Sequence, residues 1–268
     1  MTRTPVERGT LGVLPYGAIG HGPPIVVVAG LSPTTGVGSD RMVAATLGPL
    51  TALAPARRLI VVNRRPGLPR GMTMAQLAAE HAAAIREGLA AGAVDVVGIS
   101  TGGSIAQQLA ADHPDVVRRL VLVSTACRLG PVGQRLQRRV GELIRAGRTR
   151  AALAAMTGGL VPPWRGRTVA RAVGFAVGPR LLKSADLDDM ATTIEAEDEF
   201  DLARLPTVGA PTTVLAGSED RFYSPDLFAE TARLIPDCRL ELFDGRGHVT
   251  VMMDRRFRAA IRDLLAGG

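Results

Sequence analysis

Ser100 lies in Gly98-Ile99-Ser100-Thr101-Gly102-Gly103, a G-x-S-x-G pentapeptide that follows the apolar run Val94 to Val97 and precedes an alanine-rich helical pattern. A serine between a strand and a helix sits on a sharp turn that drives its hydroxyl outward. Glycines two residues to either side remove the side chains that would collide with that turn. The start of the following helix aims backbone N–H groups at negative charge developing on a substrate oxygen. A serine hydroxyl attacks only when a base removes its proton, so the pattern demands a histidine. His21 lies in a Gly-His-Gly-Pro turn, His81 in a helical pattern and His113 at a helix end, positions that fit a capping or solvent-facing residue. His248, in Asp244-Gly245-Arg246-Gly247-His248, follows the last apolar strand on a glycine-flanked loop and is the expected base. An acid must then hold the imidazole tautomer. Asp220 follows the strand pattern Thr212 to Leu215 through Ala216-Gly217-Ser218-Glu219 and is the expected partner, with Glu219 a solvated neighbour. Ser124-Thr125-Ala126, after the strand that follows the nucleophile helix, supplies no alternative acid.

These residues need a frame that brings positions 100, 220 and 248 together. Short apolar, β-branched runs at Ile25–Ala29, Leu59–Val62, Val94–Val97, Leu120–Val123, Thr212–Leu215 and Leu240–Phe243 read as buried strands. Helical patterns at Asp40–Leu53, Met74–Leu89, Ser104–His113, Pro225–Leu234 and Arg255–Leu265 alternate with them. The alternation predicts an α/β fold, a mainly parallel sheet with helices on both faces, with an antiparallel hairpin over Gly9–Ile19 at one edge. No strand pattern falls between Ser124 and Thr212. Val132, Leu136, Val140, Leu143 and Ile144 there recur at helical spacing, as do Leu187, Met190 and Ile194. The chain is therefore expected to divide into a core of 1–127 with 206–268 and a helical cap of 128–205 over the carboxyl ends of the strands. Gly158-Gly159, Pro162-Pro163 and Gly178-Pro179 are expected to separate the helices of the cap.

Composition narrows the classes. A chain of 268 residues with 46% hydrophobic and 21% charged content can bury a large core. The formal charge of +7 comes from arginines scattered along the chain, with Lys183 the only lysine, and aromatics make up only 3%. That pattern lacks the aromatic-interleaved basic patch of a nucleic-acid groove, so no nucleic-acid partner is expected. The densest basic stretch, Arg128 to Lys183, contains one acid, Glu142, and is followed by the acidic stretch Asp186 to Asp201. Cys127 and Cys238 suggest neither a disulfide framework nor a metal site, and two buried thiols of a cytoplasmic protein are expected. Residues Met1 to Pro15 carry Arg3, Glu7 and Arg8 and no continuous apolar run, so a secretory signal is not expected. No segment has the length and apolarity of a membrane span.

With Ser100, Asp220 and His248 in this order, the chain from its first long strand to its last helix resembles the α/β-hydrolase superfamily. The resemblance implies an oxyanion hole made by the backbone N–H groups of Thr101 and of Leu31, which follows Gly30. Many members carry His-Gly where this chain has Ala29-Gly30, and an Asp-x-Arg-Gly-x-Gly turn where it has Asn63-Arg64-Arg65-Pro66-Gly67. The expected activity is a serine hydrolase cleaving a carboxylic ester, lactone or related acyl bond of a small molecule through an acyl-enzyme. Carbon–carbon bond hydrolysis of a vinylogous diketone and a low-turnover ligand-binding protein are the competing readings. No cofactor and no metal are implied. Trp164, Phe175, Phe222 and Met156 are candidates to line an acyl pocket, and Arg64, Arg65 or cap arginines to meet a substrate carboxylate, although surface solvation is the plainer role for any one arginine.

Overall fold

The β-branched runs of the sequence become the strands they predict, and the computed structural model describes residues 5–89, 92–159, 167–181 and 187–266. Eight strands form one sheet: β1 (Glu7–Leu11), β2 (Leu14–Ile19), β3 (Pro24–Val28), β4 (Arg58–Val62), β5 (Val94–Ile99), β6 (Val117–Val123), β7 (Thr212–Gly217) and β8 (Cys238–Phe243). Their spatial order is β1-β2-β4-β3-β5-β6-β7-β8. From β4 to β8 all pairings are parallel, whereas β1 with β2 and β2 with β4 are antiparallel, which is the edge hairpin expected at the N-terminal end.

Side chains alternate between the two faces as the pleat requires. Val26 and Val28 of β3 and Leu120 and Leu122 of β6 pack with α2 (Met74–Gly88), α3 (Thr101–Asp112) and α8 (Pro225–Leu234). Ile25, Val27, Val121 and Val123 pack on the other face with α1 (Asp40–Leu47) and α9 (Arg255–Ala266). The helix expected over Asp40–Leu53 stops at Leu47, and Gly48–Leu53 continues as a 3₁₀ helix with Pro49, which lacks a donor, in its first turn. The helix expected from Ser104 begins three residues earlier, at Thr101, directly after the nucleophile candidate.

Between β6 and β7 run α4 (Pro131–Arg145), α5 (Thr149–Gly159), α6 (Arg167–Leu181) and α7 (Leu187–Asp198). Val140, Leu143 and Ile144 of α4 pack against Met190, Ala191 and Ile194 of α7 in a small core of their own, with Leu31 of the strand-end loop against it. Gly158-Gly159 falls at the end of α5 as expected, but Gly178-Pro179 does not separate helices, because α6 continues through it to Leu181. So close to the helix end, a proline forfeits a single hydrogen bond. Pro162-Pro163 lies outside the described residues. Among the described residues no helix is long and apolar enough to cross a membrane.

At the amino ends of the strands, Asp95 of β5 is fully buried between Arg57 at 2.6 Å and Arg118 at 2.7 Å. The same Arg57 donates to the Leu265 carbonyl, and Arg119 to the Leu264 carbonyl, so two distant arginines satisfy the last turn of α9. Truncating Asp95 leaves the Arg57 guanidinium buried without its anion. Asp95→Ala should therefore cost about 3–5 kcal/mol, against under about 1 kcal/mol for Arg118→Ala, whose side chain is half exposed. Urea denaturation of both variants measures the difference, and equal losses would place the stabilisation in the exposed pair.

Candidate active site

β5 ends at Ile99 and α3 starts at Thr101, so one residue turns the chain, and that residue is Ser100 with φ of 52° and ψ of −128°. A non-glycine residue in this region costs about 1–3 kcal/mol and persists only where the surroundings impose it. Here they do. A Cβ at Gly102 would lie 2.2 Å from the Val28 carbonyl oxygen, one at Gly103 2.1 Å from the Thr125 side chain, and one at Gly98 2.6 Å from Gly103 Cα. The glycines thus let α3 press against the ends of β3, β5 and β6, and the turn at Ser100 follows.

His248 and Asp220 reach the same point from the loops after β8 and β7. His248 Nε2 is 2.9 Å from Ser100 Oγ, and Nδ1 is 2.8 Å from Asp220 Oδ2. The other oxygen of Asp220 accepts the N–H of Phe222 at 2.8 Å and of Tyr223 at 3.3 Å, which fixes the carboxylate plane. Glu219 is exposed. The loop carrying His248 is braced at three places. Ser124, at the end of β6 with φ of 51°, donates its hydroxyl to the His248 carbonyl at 2.8 Å. Arg246 Nε meets Asp254 Oδ2 at 2.9 Å, and Gly247 N–H donates to Thr250 Oγ1 at 2.8 Å. With Nδ1–H held by the carboxylate, Nε2 is left to accept the serine proton, so the three side chains can act as nucleophile, base and orienting acid.

A cavity of about 400 Å³ opens on this serine. Leu31 and Thr101 both line it, together with Met156 and Phe222 of the expected pocket residues. The Phe222 ring centroid is 4.6 Å from that of His248. Phe175 does not line this cavity: it is half exposed, lines a neighbouring one and lies under the Arg150 guanidinium at 5.7 Å. Trp164 lies outside the described residues. The described lining includes no Asp, Glu, Lys or Arg.

Several expectations are corrected. Arg64 is not a surface arginine: it is buried, and its Nη2 donates to the Ser32 carbonyl at 2.9 Å. Asn63 Nδ2 donates to the Gly30 carbonyl at 3.2 Å, and Asn63 Oδ1 accepts the Arg64 N–H at 2.8 Å. The Asn63-Arg64 pair thus braces the Gly30–Ser32 loop, where this chain lacks the histidine common in the superfamily. Arg65 pairs with Glu80 at 2.7 Å. His81 neither caps nor faces solvent: it is buried with Nδ1 2.7 Å from the Leu77 carbonyl, and burial lowers its pKa. Cys238 is only partly buried, unlike Cys127.

Sequence patterns did not reveal Glu197 of α7. Its carboxylate, 1% exposed, accepts Thr101 Oγ1 at 2.5 Å, Ser104 Oγ at 2.9 Å, Gln137 Nε2 at 2.9 Å and Tyr223 OH at 3.2 Å. It joins the first turn of α3, α4 and the Asp220 loop in one network. Asp189, just over two helix turns before it, accepts the N–H groups of Gly67 at 2.8 Å and Leu68 at 2.6 Å. An acidic run in a helix reads as a solvated face, so only the folded partners reveal these two roles.

Fold and site together define the class. The alpha/beta hydrolase family model matches residues 25–261, and the chain belongs to that family. Among its relatives, polyketide synthase ThaQ of Burkholderia thailandensis is 31% identical over 87% of this chain, which spans only 11% of that protein's length. The 2-hydroxymuconate semialdehyde hydrolase of Pseudomonas putida is 28% identical over 70% of this chain and 67% of its own. In structure, the enol-lactonase of Burkholderia xenovorans LB400 superposes with a TM-score of 0.75 at 22% identity, covering 97% of this chain and 100% of its own, which speaks for the fold.

Burial raises the Glu197 pKa above its ordinary value near 4.5, against the pull of its four donors. A carboxyl whose pKa is higher in the folded than in the unfolded state contributes stability below the unfolded value, and that contribution is lost as pH rises through the folded value. Tm should therefore fall, as pH climbs from about 4.5, more steeply for the native chain than for Glu197→Gln, which cannot ionise. Parallel Tm curves would mean that Glu197 does not titrate in the fold.

Proposed function

We propose that this protein is a serine hydrolase that cleaves a carboxylic ester, lactone or related acyl bond through an acyl-enzyme. The observation that carries the reading is the unbroken hydrogen-bonded chain from Ser100 through His248 to Asp220, opening on an apolar, uncharged cavity. Ser100 Oγ attacks the carbonyl carbon while His248 Nε2 takes its proton. The backbone N–H groups of Leu31 and Thr101 receive the oxyanion. The C–O bond then breaks, His248 returns the proton to the leaving group, and water attacks the acyl-enzyme by the same route in reverse. The helical segment 128–205 acts as a cap that selects the acyl group, because Leu136, Val140, Met156 and Ile194 contribute to the cavity wall. The uncharged lining suits a neutral acyl chain better than the carboxylate-bearing dienol of a carbon–carbon bond hydrolase, since a buried carboxylate needs a paired cation.

Ser100→Ala should abolish covalent labelling by a fluorophosphonate with the Tm retained, and His248→Ala and Asp220→Asn should each lower kcat for p-nitrophenyl hexanoate by about 10³-fold or more. Undiminished labelling of Ser100→Ala would remove the proposed nucleophile. For the cap, Met156→Ala and Ile194→Ala should shift relative kcat/KM between short and long p-nitrophenyl esters by about ten-fold, the scale of a few methylene contacts, with Phe175→Ala silent. A shift from Phe175→Ala alone would move the acyl pocket to the neighbouring cavity.

A further inference from the structure

Beside the acyl cavity lies a second one, of about 620 Å³, between α4, α5, α6 and the loop after Asp220. Its character is opposite. Arg135, Arg139, Arg148, Arg171 and Arg221 line it, with no Asp or Glu in the described lining. The only ion pair found for these five among the described residues is Arg139 with Glu142 at 3.5 Å, between exposed side chains of one helix turn. Arg150 adds a sixth cation over the Phe175 ring at its edge. Five guanidinium groups around one concave surface repel one another, and an anion with several oxygens relieves that repulsion while accepting paired N–H donors.

The two cavities share Leu136 and Phe222 as a common wall. Phe222 is also the ring packed on His248. Ser100 and His248 both line the uncharged cavity, and Phe222 beside His248 is where that cavity borders the arginines. The leaving group must lie next to His248, which gives it its proton, whereas the acyl half extends away into the uncharged cavity. Resting on the hydrolase reading above, we infer that the arginine cavity binds the leaving group, and that the substrate is a neutral acyl group joined by an ester or thioester bond to a leaving group bearing phosphate. The phosphate stays intact: the acyl C–O or C–S bond breaks, Ser100 Oγ takes the acyl group, and the proton from Ser100 passes through His248 to the departing oxygen or sulfur. Water then releases the acid.

Phosphate of this kind comes from a phosphorylated pantetheine thiol or from a glycerol phosphate, and matched pairs of substrates distinguish them. Hexanoyl-coenzyme A is compared with hexanoyl-N-acetylcysteamine, which has the same thioester without phosphate, and 1-hexanoylglycerol 3-phosphate with 1-hexanoylglycerol. In at least one pair, kcat/KM should be about ten-fold or more higher for the phosphorylated member, and this advantage should shrink between about 0.05 M and about 0.5 M NaCl as screening increases. The triple variant Arg135→Ala/Arg139→Ala/Arg148→Ala should lose the advantage while hydrolysing the uncharged members at the native rate. Equal kcat/KM within both pairs, or an advantage untouched by the triple variant, would overturn the inference. If p-nitrophenyl hexanoate is turned over and fluorophosphonate labels Ser100 in that case, the hydrolase reading survives and only the arginine site fails. If neither happens, the hydrolase reading itself fails.

Discussion

Ser100 holds a positive-φ backbone conformation that is strained for any residue with a side chain, and most of the architecture can be read as what keeps it there. The strain of about 1–3 kcal/mol has to be met by contacts that form only in that turn. They come from α3, whose first turn lies so close to the carbonyls of Val28 and Ala29 that position 102 admits no side chain. That approach requires β3, β5 and β6 to be adjacent and in parallel register, with their carboxyl ends level. Ser124, at the end of the neighbouring strand β6, repeats the positive φ and uses its hydroxyl to hold the His248 carbonyl. Two strained serines on adjacent strands therefore set the two partners of the Ser100–His248 hydrogen bond.

The helical insertion is fastened to this centre by charge as well as by apolar packing. Leu and Ile side chains of α4 and α7 interdigitate, but such packing tolerates sliding more readily than a directed polar contact does. Two carboxylates of α7 remove that freedom. Asp189 grips the Gly67–Leu68 backbone, and Glu197 gathers donors from α3, α4 and the Asp220 loop. Because Thr101 both starts α3 and donates its hydroxyl to Glu197, any shift of α7 is transmitted to the residue after Ser100. The position of the insertion and the geometry of the nucleophile turn are thereby coupled through a single buried side chain.

Sequence made the frame legible where a residue's role depends on its immediate neighbours. Six strands, the edge hairpin and the strand-serine-helix turn follow from local periodicity and glycine placement, and Asp220 and His248 were found by their positions at the ends of strands. Roles that depend on distant partners were not legible. Arg64 has the character of a surface residue, yet it folds inward because Ser32 offers a carbonyl 32 positions away. Glu197 sits in an acidic run in which Asp188, Glu195 and Asp198 pair with arginines of α4. His81 is buried because α2 presents that side to the sheet, a fact its helical pattern of alanines on both sides hides. Phe175 lies in the neighbouring cavity and not the acyl one for the opposite reason, since aromaticity predicts burial and its helix leaves it half exposed beneath Arg150.

The separation of charge between the two cavities bears on the whole proposed cycle. Arginine is by far the commonest charged residue of this chain, yet none lines the described acyl cavity, and Arg64 and Arg65 are tied to Ser32 and Glu80. Hydrolysis turns a neutral acyl group into a carboxylate. In an apolar cavity with no cation, that product carries an uncompensated desolvation cost, which the substrate did not carry. A guanidinium in the acyl cavity would bind the product better than the substrate and retain it after each turnover. Confining the arginines to the leaving-group side gives attraction before the bond breaks and leaves the carboxylate without a cation to hold it afterwards, so the same distribution of charge that recruits the substrate also lets the acid product go.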